Sequence, residues 1–323
     1  MEIGSFIELQ LPKGNEWYKQ TEDIARLNIG RAAIWHALRV TGAKRIWLPY
    51  YQCDTVREFL ERKGVTDIRY YHQDRDFNPI DLQAEKDDAV LFVNYYGIMS
   101  RERIKSLSEA YPNAIIDNCQ GFFCEPLENA QNVYSARKFV GVGDGAYVIG
   151  KGASRYVEEY EQGYSSDTSE FLLKRIEYGC EGKGYEARSL NEHRVDTEDI
   201  KKMSKLTRTI LDAADYETIR DKRRENFAIA SELLGDINKI DPTRYYDGET
   251  IPMVYPLVVE DDELIQRLFA AKHFQGHWWS YLLHEMPKDS FEYWISRYVI
   301  PITIDQRYGR EELEYLNKVI RNI

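Results

Sequence analysis

The sequence predicts an α/β protein, with a mostly parallel central sheet in a large domain over residues 1–216 and a smaller C-terminal α+β domain over 217–323. Three observations point there. Ala89-Val-Leu-Phe-Val93 and Ala114-Ile-Ile116 are apolar runs without alternation, as strands covered on both faces require. Segments with helical spacing separate them, giving the β–α–β order of a parallel sheet. Beyond residue 216 two further apolar runs, 253–259 and 298–302, lie among helices in a different order.

In chain order, a polar lead-in is followed by Leu27-Asn-Ile-Gly30-Arg-Ala-Ala33, a turn opening a helix with Ile34, Ala37 and Leu38 on one side. A glycine at the mouth of a helix lets an anion approach unpaired backbone N–H groups, where the helix dipole favours it. Arg31 adds a guanidinium at the same spot. Arg45-Ile-Trp-Leu-Pro49 is a short strand ended by proline, and a helix follows to residue 63. Residues 101–111 are helical. The stretch 156–216 is polar and helical, with 179–191 expected as a charged, glycine-containing loop. A helix over 219–234 carries Arg220, Lys222, Arg223 and Arg224, which read as a solvated face. A helix over 261–273 and a final helix from about residue 310 complete the elements. Trp278 and Trp279 read as packing residues.

In a parallel sheet, ligands collect at the carboxyl ends of the strands. Tyr51 to Asp54, Tyr95 to Gly97, Asp117 to Gln120, Ser135 and Lys138 then converge on one crevice. Lys138 stands between polar Ser135 and a glycine-rich turn, Gly141-Val-Gly143-Asp-Gly145, that runs into the strand Ala146-Tyr-Val-Ile149. A lysine held in such a turn can form a Schiff base with a carbonyl compound. The three glycines look superficially like a dinucleotide loop, but their spacing differs and they precede a strand where that loop would open a helix.

Composition bounds the function. With 43% hydrophobic and 30% charged residues over 323 positions, the chain can bury a substantial core. A net charge of -11 argues against nucleic acid as the main partner. No apolar run approaches the roughly 20 residues of a membrane span. The four cysteines form no C-x-x-C pair and the six histidines no H-E-x-x-H spacing, so neither a metal site nor a disulfide framework is expected. A cytoplasmic setting with reduced thiols is expected.

Four segments occur in order: Gly30-Arg-Ala-Ala33, Asp117-Asn-Cys-Gln120, Ser135-Ala-Arg-Lys138 with Gly143-Asp-Gly145, and Asp305-Gln-Arg-Tyr-Gly309. Together they resemble the DegT/DnrJ/EryC1/StrS family of pyridoxal 5'-phosphate (PLP)-dependent, fold type I aminotransferases, over roughly residues 25–320. The resemblance implies that Lys138 holds PLP covalently and acts in catalysis. It implies that Asp117 pairs with the pyridinium nitrogen and Gln120 contacts the ring hydroxyl. The amides of Gly30, Arg31 and Ala32 would hold the phosphate with help from Ser135. It further implies a homodimer with shared active sites, moving an amino group from glutamate to a keto-sugar, nucleotide-linked, in surface polysaccharide or related sugar biosynthesis.

Two departures stand out. Arg31 stands where the family usually has a hydroxyl residue, and Cys53 lies where it usually has the aromatic ring that stacks on the cofactor, so Tyr51, Tyr95 or Tyr96 is expected to stack instead. The segment that reaches into the neighbouring subunit's site is not visible before Met203, and Asn191 is the candidate in its place. Two other readings stay open: a PLP enzyme acting on another amine or amino acid, and a non-catalytic binding or sensor protein of the same fold.

Overall fold

The structure, a computed structural model, describes residues 3–19, 21 and 23–322. The first half of the chain alternates strand and helix: β1 (Ile24–Leu27), α1 (Gly30–Thr41), β2 (Arg45–Pro49), α2 (Asp54–Arg62), β3 (Asp67–Tyr71), β4 (Ala89–Val93), α3 (Arg101–Ser108), β5 (Ala114–Asn118), β6 (Gln131–Ser135) and β7 (Ala146–Ile149). These strands make one sheet in the order β1-β7-β6-β5-β4-β2-β3. The pairs β2·β3, β2·β4, β4·β5 and β5·β6 are parallel, while β7 runs antiparallel to both β6 and β1. Every residue of β4, β5, β6 and β7 is buried, which is why their sequences show no alternation.

Helix ends follow local chemistry. The hydroxyl of Ser100 accepts the Arg103 amide at the start of α3. Gly42 ends α1 in the left-handed region, at φ 75°.

The chain continues through α4 (Glu170–Tyr178), α5 (Lys183–Thr197), α6 (Lys205–Asp212) and α7 (Tyr216–Leu234). The loop expected over 179–191 is shorter than that, because α5 takes over at Lys183. Gly184 lies inside its first turn, and the good helix formers Glu186, Ala187, Arg188 and Leu190 outweigh that single glycine. Antiparallel strands β8 (Val254–Val258) and β9 (Val299–Thr303) form a second sheet. Around it lie α7, α8 (Leu264–Ala270), α9 (Leu282–Glu285), α10 (Phe291–Tyr298) and α11 (Arg310–Arg321), with α11 packed on α7 and α8. Among the described residues no helix is long and apolar enough to cross a membrane.

Two buried histidines behave differently. His36 bonds the Ala153 carbonyl through Nε2 at 2.8 Å, so Nδ1 accepts from the Tyr160 hydroxyl at 2.7 Å. His273 has no hydrogen-bond partner on either ring nitrogen, and burial pushes its pKa from 6.5 down to about 4. Between those values the unfolded chain takes up a proton that folded His273 refuses. Stability therefore falls as pH drops from 6.5 to about 4, by up to roughly 3 kcal/mol. Urea midpoints measured across this window should decline less steeply for His273→Leu than for the wild-type chain. Equal slopes would remove His273 as the cause.

Candidate active site

The sheet register builds the site. Val93 of β4 stands opposite Asp117 of β5, and Asp117 stands opposite Val133 of β6. The turns that follow these strands therefore leave the sheet along one edge. Tyr95–Gly97 forms a tight 3-10 turn after β4, and Ala136–Lys138 forms another after β6. The mouth of α1 reaches the same place: a methyl built on Gly30 would stand 2.9 Å from the Cys119 sulfur, so only glycine fits there without displacing that thiol.

Asp117 is almost buried. Its Oδ1 accepts the Cys119 amide at 2.9 Å, which folds the Asp117–Gln120 turn and leaves Oδ2 for a ligand. Burial first, then the Asp117 carboxylate, hold the Cys119 thiol well above its usual pKa, and the Lys138 ammonium pulls it the other way. The thiol stays protonated, with Asp117 and Lys138 both within its electrostatic reach. Gln120 accepts the Tyr96 amide through Oε1 at 2.7 Å, which leaves its Nε2 to donate elsewhere. Lys138 itself is exposed, whereas Ser135, three residues earlier at the end of β6, is buried.

At α1 the first helical bond runs from the Ala33 amide to the Ile29 carbonyl, so the amides of Gly30, Arg31 and Ala32 have no acceptor within the helix. They leave three unpaired donors at the positive end of a 12-residue helix, an arrangement that favours an anion. The Arg31 side chain turns away from these donors. Its guanidinium donates to the Val195 carbonyl at 3.1 Å and to the Asp196 carboxylate at 2.9 Å, so of Arg31 only the amide is left at the helix mouth. Arg137, beside the lysine, pairs with Glu192 at 2.7 Å. Helix α5 thus bridges the mouth of α1 and the lysine turn. Asn191 lies on this bridge, 3% exposed, with neither side-chain amide atom partnered. Such orphaned groups call for a ligand or a neighbour to satisfy them.

The aromatic expectation meets a different arrangement. Tyr51, Tyr95 and Tyr96 are all fully enclosed. The Tyr95 hydroxyl donates to the Tyr51 carbonyl at 2.6 Å and also lies 2.7 Å from Gln73 Oε1. The Tyr51 and Tyr96 hydroxyls share a bond of 2.6 Å, and Tyr96 stacks on Trp278 with centroids 5.5 Å apart. Tyr51 meets the edge of Trp279 at 4.4 Å. These rings form an inner wall and none offers a free face to a ligand. The reason is tertiary: Trp278 and Trp279 come from the C-terminal half and cover them.

Sequence reading missed two contributors. Arg223, taken as solvated, is 3% exposed, and its guanidinium lies 4.5 Å from the Phe139 ring centre. Burial pushes its pKa down to about 10 against the opposing field of Asp305. Asp144, buried within the glycine turn, accepts from the Ser204 amide and hydroxyl at 2.8 Å each and from the Thr207 hydroxyl. With Gly145 donating to the Asn28 carbonyl at 2.6 Å, it ties the lysine turn to both α6 and the residues before α1. The G-D-G motif marked Asp144; nothing local marked Arg223.

The fold is that of the PLP-dependent, fold type I aminotransferases. An aminotransferase of the DegT/DnrJ/EryC1/StrS group from Brucella abortus superposes with a TM-score of 0.63 at 14% identity, covering 94% of this chain and 87% of that one. A putative sugar aminotransferase from Streptococcus pneumoniae, Spr1654 in its PMP-form, gives 0.64 at 13%, covering 94% and 88%. DesI, crystallised in the presence of its TDP-sugar product, gives 0.60 at 11%, covering 94% and 81%. At these identities the likeness is one of fold. No family model matches the sequence, and no curated protein matches it at the sequence level.

The turn after β4 offers a test of how tightly the site is built. Tyr96 and Gly97 are both left-handed, at φ 59° and 71°, and a methyl on Gly97 would fall 2.0 Å from the Gln120 carbonyl oxygen. Gly97→Ala should cost more than about 2 kcal/mol in urea unfolding, since strain and a backbone clash add. Gly64→Ala, at φ 81° with open space around it, should cost only about 1 kcal/mol. Equal losses would show that the clash with Gln120 is relieved by an easy shift.

Proposed function

We propose that this chain is a PLP-dependent aminotransferase that moves an amino group from glutamate to a keto-sugar, of the nucleotide-linked kind, in sugar biosynthesis. The observation that carries the reading is the meeting of Asp117, Gln120, Lys138 and the unpaired α1 amides at one sheet edge, in a chain with this fold. DesI, a structural neighbour, was crystallised with a TDP-sugar product, which supports the substrate class.

The residues fit the cofactor. The α1 amides, with Ser135, would take its phosphate. The free oxygen of Asp117 would pair with the ring nitrogen and keep it protonated, because opposite charges at close range favour both ionised forms. Gln120 would donate its remaining N–H to the ring hydroxyl, whereas Asn191, the candidate for the neighbouring subunit's site, is enclosed within its own chain. Lys138 would hold the cofactor through its Nζ and, once displaced by the amino donor, carry a proton between the donor carbon and the cofactor. When bound, the cofactor supplies the electron sink for the departing proton's electrons.

A homodimer is part of the reading. The α4–α5 hairpin exposes large apolar side chains, among them Ile176 at 81%, Leu190 at 67% and Tyr185 at 65%. Large apolar side chains exposed on one helical hairpin favour a contact face there, and α5 borders the site through Arg31 and Arg137. All four cysteines are free thiols, in keeping with a reducing, cytoplasmic setting.

The purified chain with PLP should show a visible absorption band that glutamate bleaches, and Lys138→Ala should lose covalent attachment on borohydride reduction. No band in the wild-type chain would end the cofactor reading. A band indifferent to every amino donor would leave a non-catalytic binder. In sedimentation at micromolar concentration the chain should run as a dimer, and Ile176→Glu with Leu190→Glu should shift it toward monomer. A wild-type monomer would exclude the shared-site arrangement.

A further inference from the structure

We propose that Arg223 is a positioning residue for Lys138, holding the lysine turn at a fixed distance from the turn that carries Asp117 and Gln120. The inference rests on the reading of Lys138 as the cofactor-bearing residue. From α7 the guanidinium donates through Nη1 to the Met253 carbonyl at 2.7 Å and the Pro252 carbonyl at 3.4 Å, and through Nη2 to the Lys138 carbonyl at 3.4 Å. The planar fork lets one side chain grip two chain segments at once, which a lysine's single nitrogen cannot do at fixed geometry.

The grip continues around the site. The Met253 amide donates to the Tyr96 carbonyl at 2.8 Å, and the Tyr96 amide donates to Gln120 Oε1 at 2.7 Å. One hydrogen-bonded chain thus runs from the carbonyl of Lys138 through Arg223, Met253 and Tyr96 to the side chain of Gln120. Next to it, Gln306 donates to the Phe139 carbonyl at 3.0 Å, a second hold on the residue after the lysine.

Arg223 is a costly group to bury. Its Nε–H has no acceptor, and the Asp305 carboxylate opposite is committed to Arg307, through bonds of 2.8 and 2.6 Å. A buried charge satisfied by three carbonyls rather than by its own carboxylate adds little stability over an apolar side chain of similar size. What it adds is geometry: a rigid strut between the C-terminal half and the backbone of Lys138. Small displacements of a reacting group carry large rate costs, so the strut bears on chemistry although it touches no substrate.

The test uses the full chain, Arg223→Lys and Arg223→Met, each incubated with pyridoxal phosphate. Borohydride reduction followed by peptide mass mapping gives the rate at which cofactor is fixed on Lys138, and visible circular dichroism reports whether the bound ring is held in one orientation. Both variants should fix cofactor on Lys138 about tenfold more slowly or worse, with reduced dichroism, while far-ultraviolet dichroism shows an intact fold. Should Arg223→Met fail to fold, Arg223→Lys decides alone, since it keeps the cation and stem and loses the fork. Folded variants with the wild-type fixation rate and dichroism, and only a lower melting temperature, would overturn the positioning role and leave the cofactor reading intact. A wild-type chain that fixes no cofactor on Lys138 would overturn both.

Discussion

Everything at the site depends on the parallel register of β4, β5 and β6. Once Val93, Asp117 and Val133 stand in line, the next few residues of each strand must leave the sheet at the same edge. Parallel strands cannot be joined by tight hairpins, so each returns through a crossover and its carboxyl end is free to end in a turn of its own. The carboxyl ends of β5 and β6 deliver a carboxylate, an amide and a lysine to one crevice, and the turn after β4 holds Gln120 through the Tyr96 amide. Helix α1 adds its positive end there, because Gly30 lets it come down onto Cys119.

The turns are then locked by polar contacts of the kind that a buried backbone demands. Asn94 donates to Asn118 at 3.0 Å across the β4 and β5 turns and accepts the Met99 amide at 3.1 Å. Asp144 and Gly145 tie the lysine turn to α6 and to Asn28. Arg223 ties it to the C-terminal half. The left-handed Tyr96 is a strained residue, worth of order 1–3 kcal/mol, and it persists because its amide, carbonyl and hydroxyl are each bonded to a different segment.

Local patterns exposed much of this in advance. The buried strands were legible because residues covered on both faces have no polar alternate positions, and the Asp117–Gln120 and Lys138–Gly145 segments because turn chemistry needs particular residues at short spacing. Helix α5 was not legible as a helix from residue 183, since its polar and apolar residues follow no clear stripe and Gly184 suggested a break. Strand β1, four residues at the sheet edge, carries too few positions for a period to show.

Sequence alone indicated the α/β class, the carboxyl-edge crevice and the residue types expected in it, because the buried-strand and turn patterns that imply them are written within a few positions of chain. Only the tertiary structure decided what surrounds them. It enclosed Tyr51 and Tyr95 behind Trp278 and Trp279, turned the Arg31 guanidinium toward Asp196, left Asn191 buried without a partner, and drew Arg223 from an apparently solvated helix face to the carbonyl of Lys138. Those outcomes depend on segments 85 to 229 residues apart meeting in space, as Lys138 meets Arg223 and Gln52 meets Tyr281. No local pattern of charge or hydrophobicity encodes such a meeting.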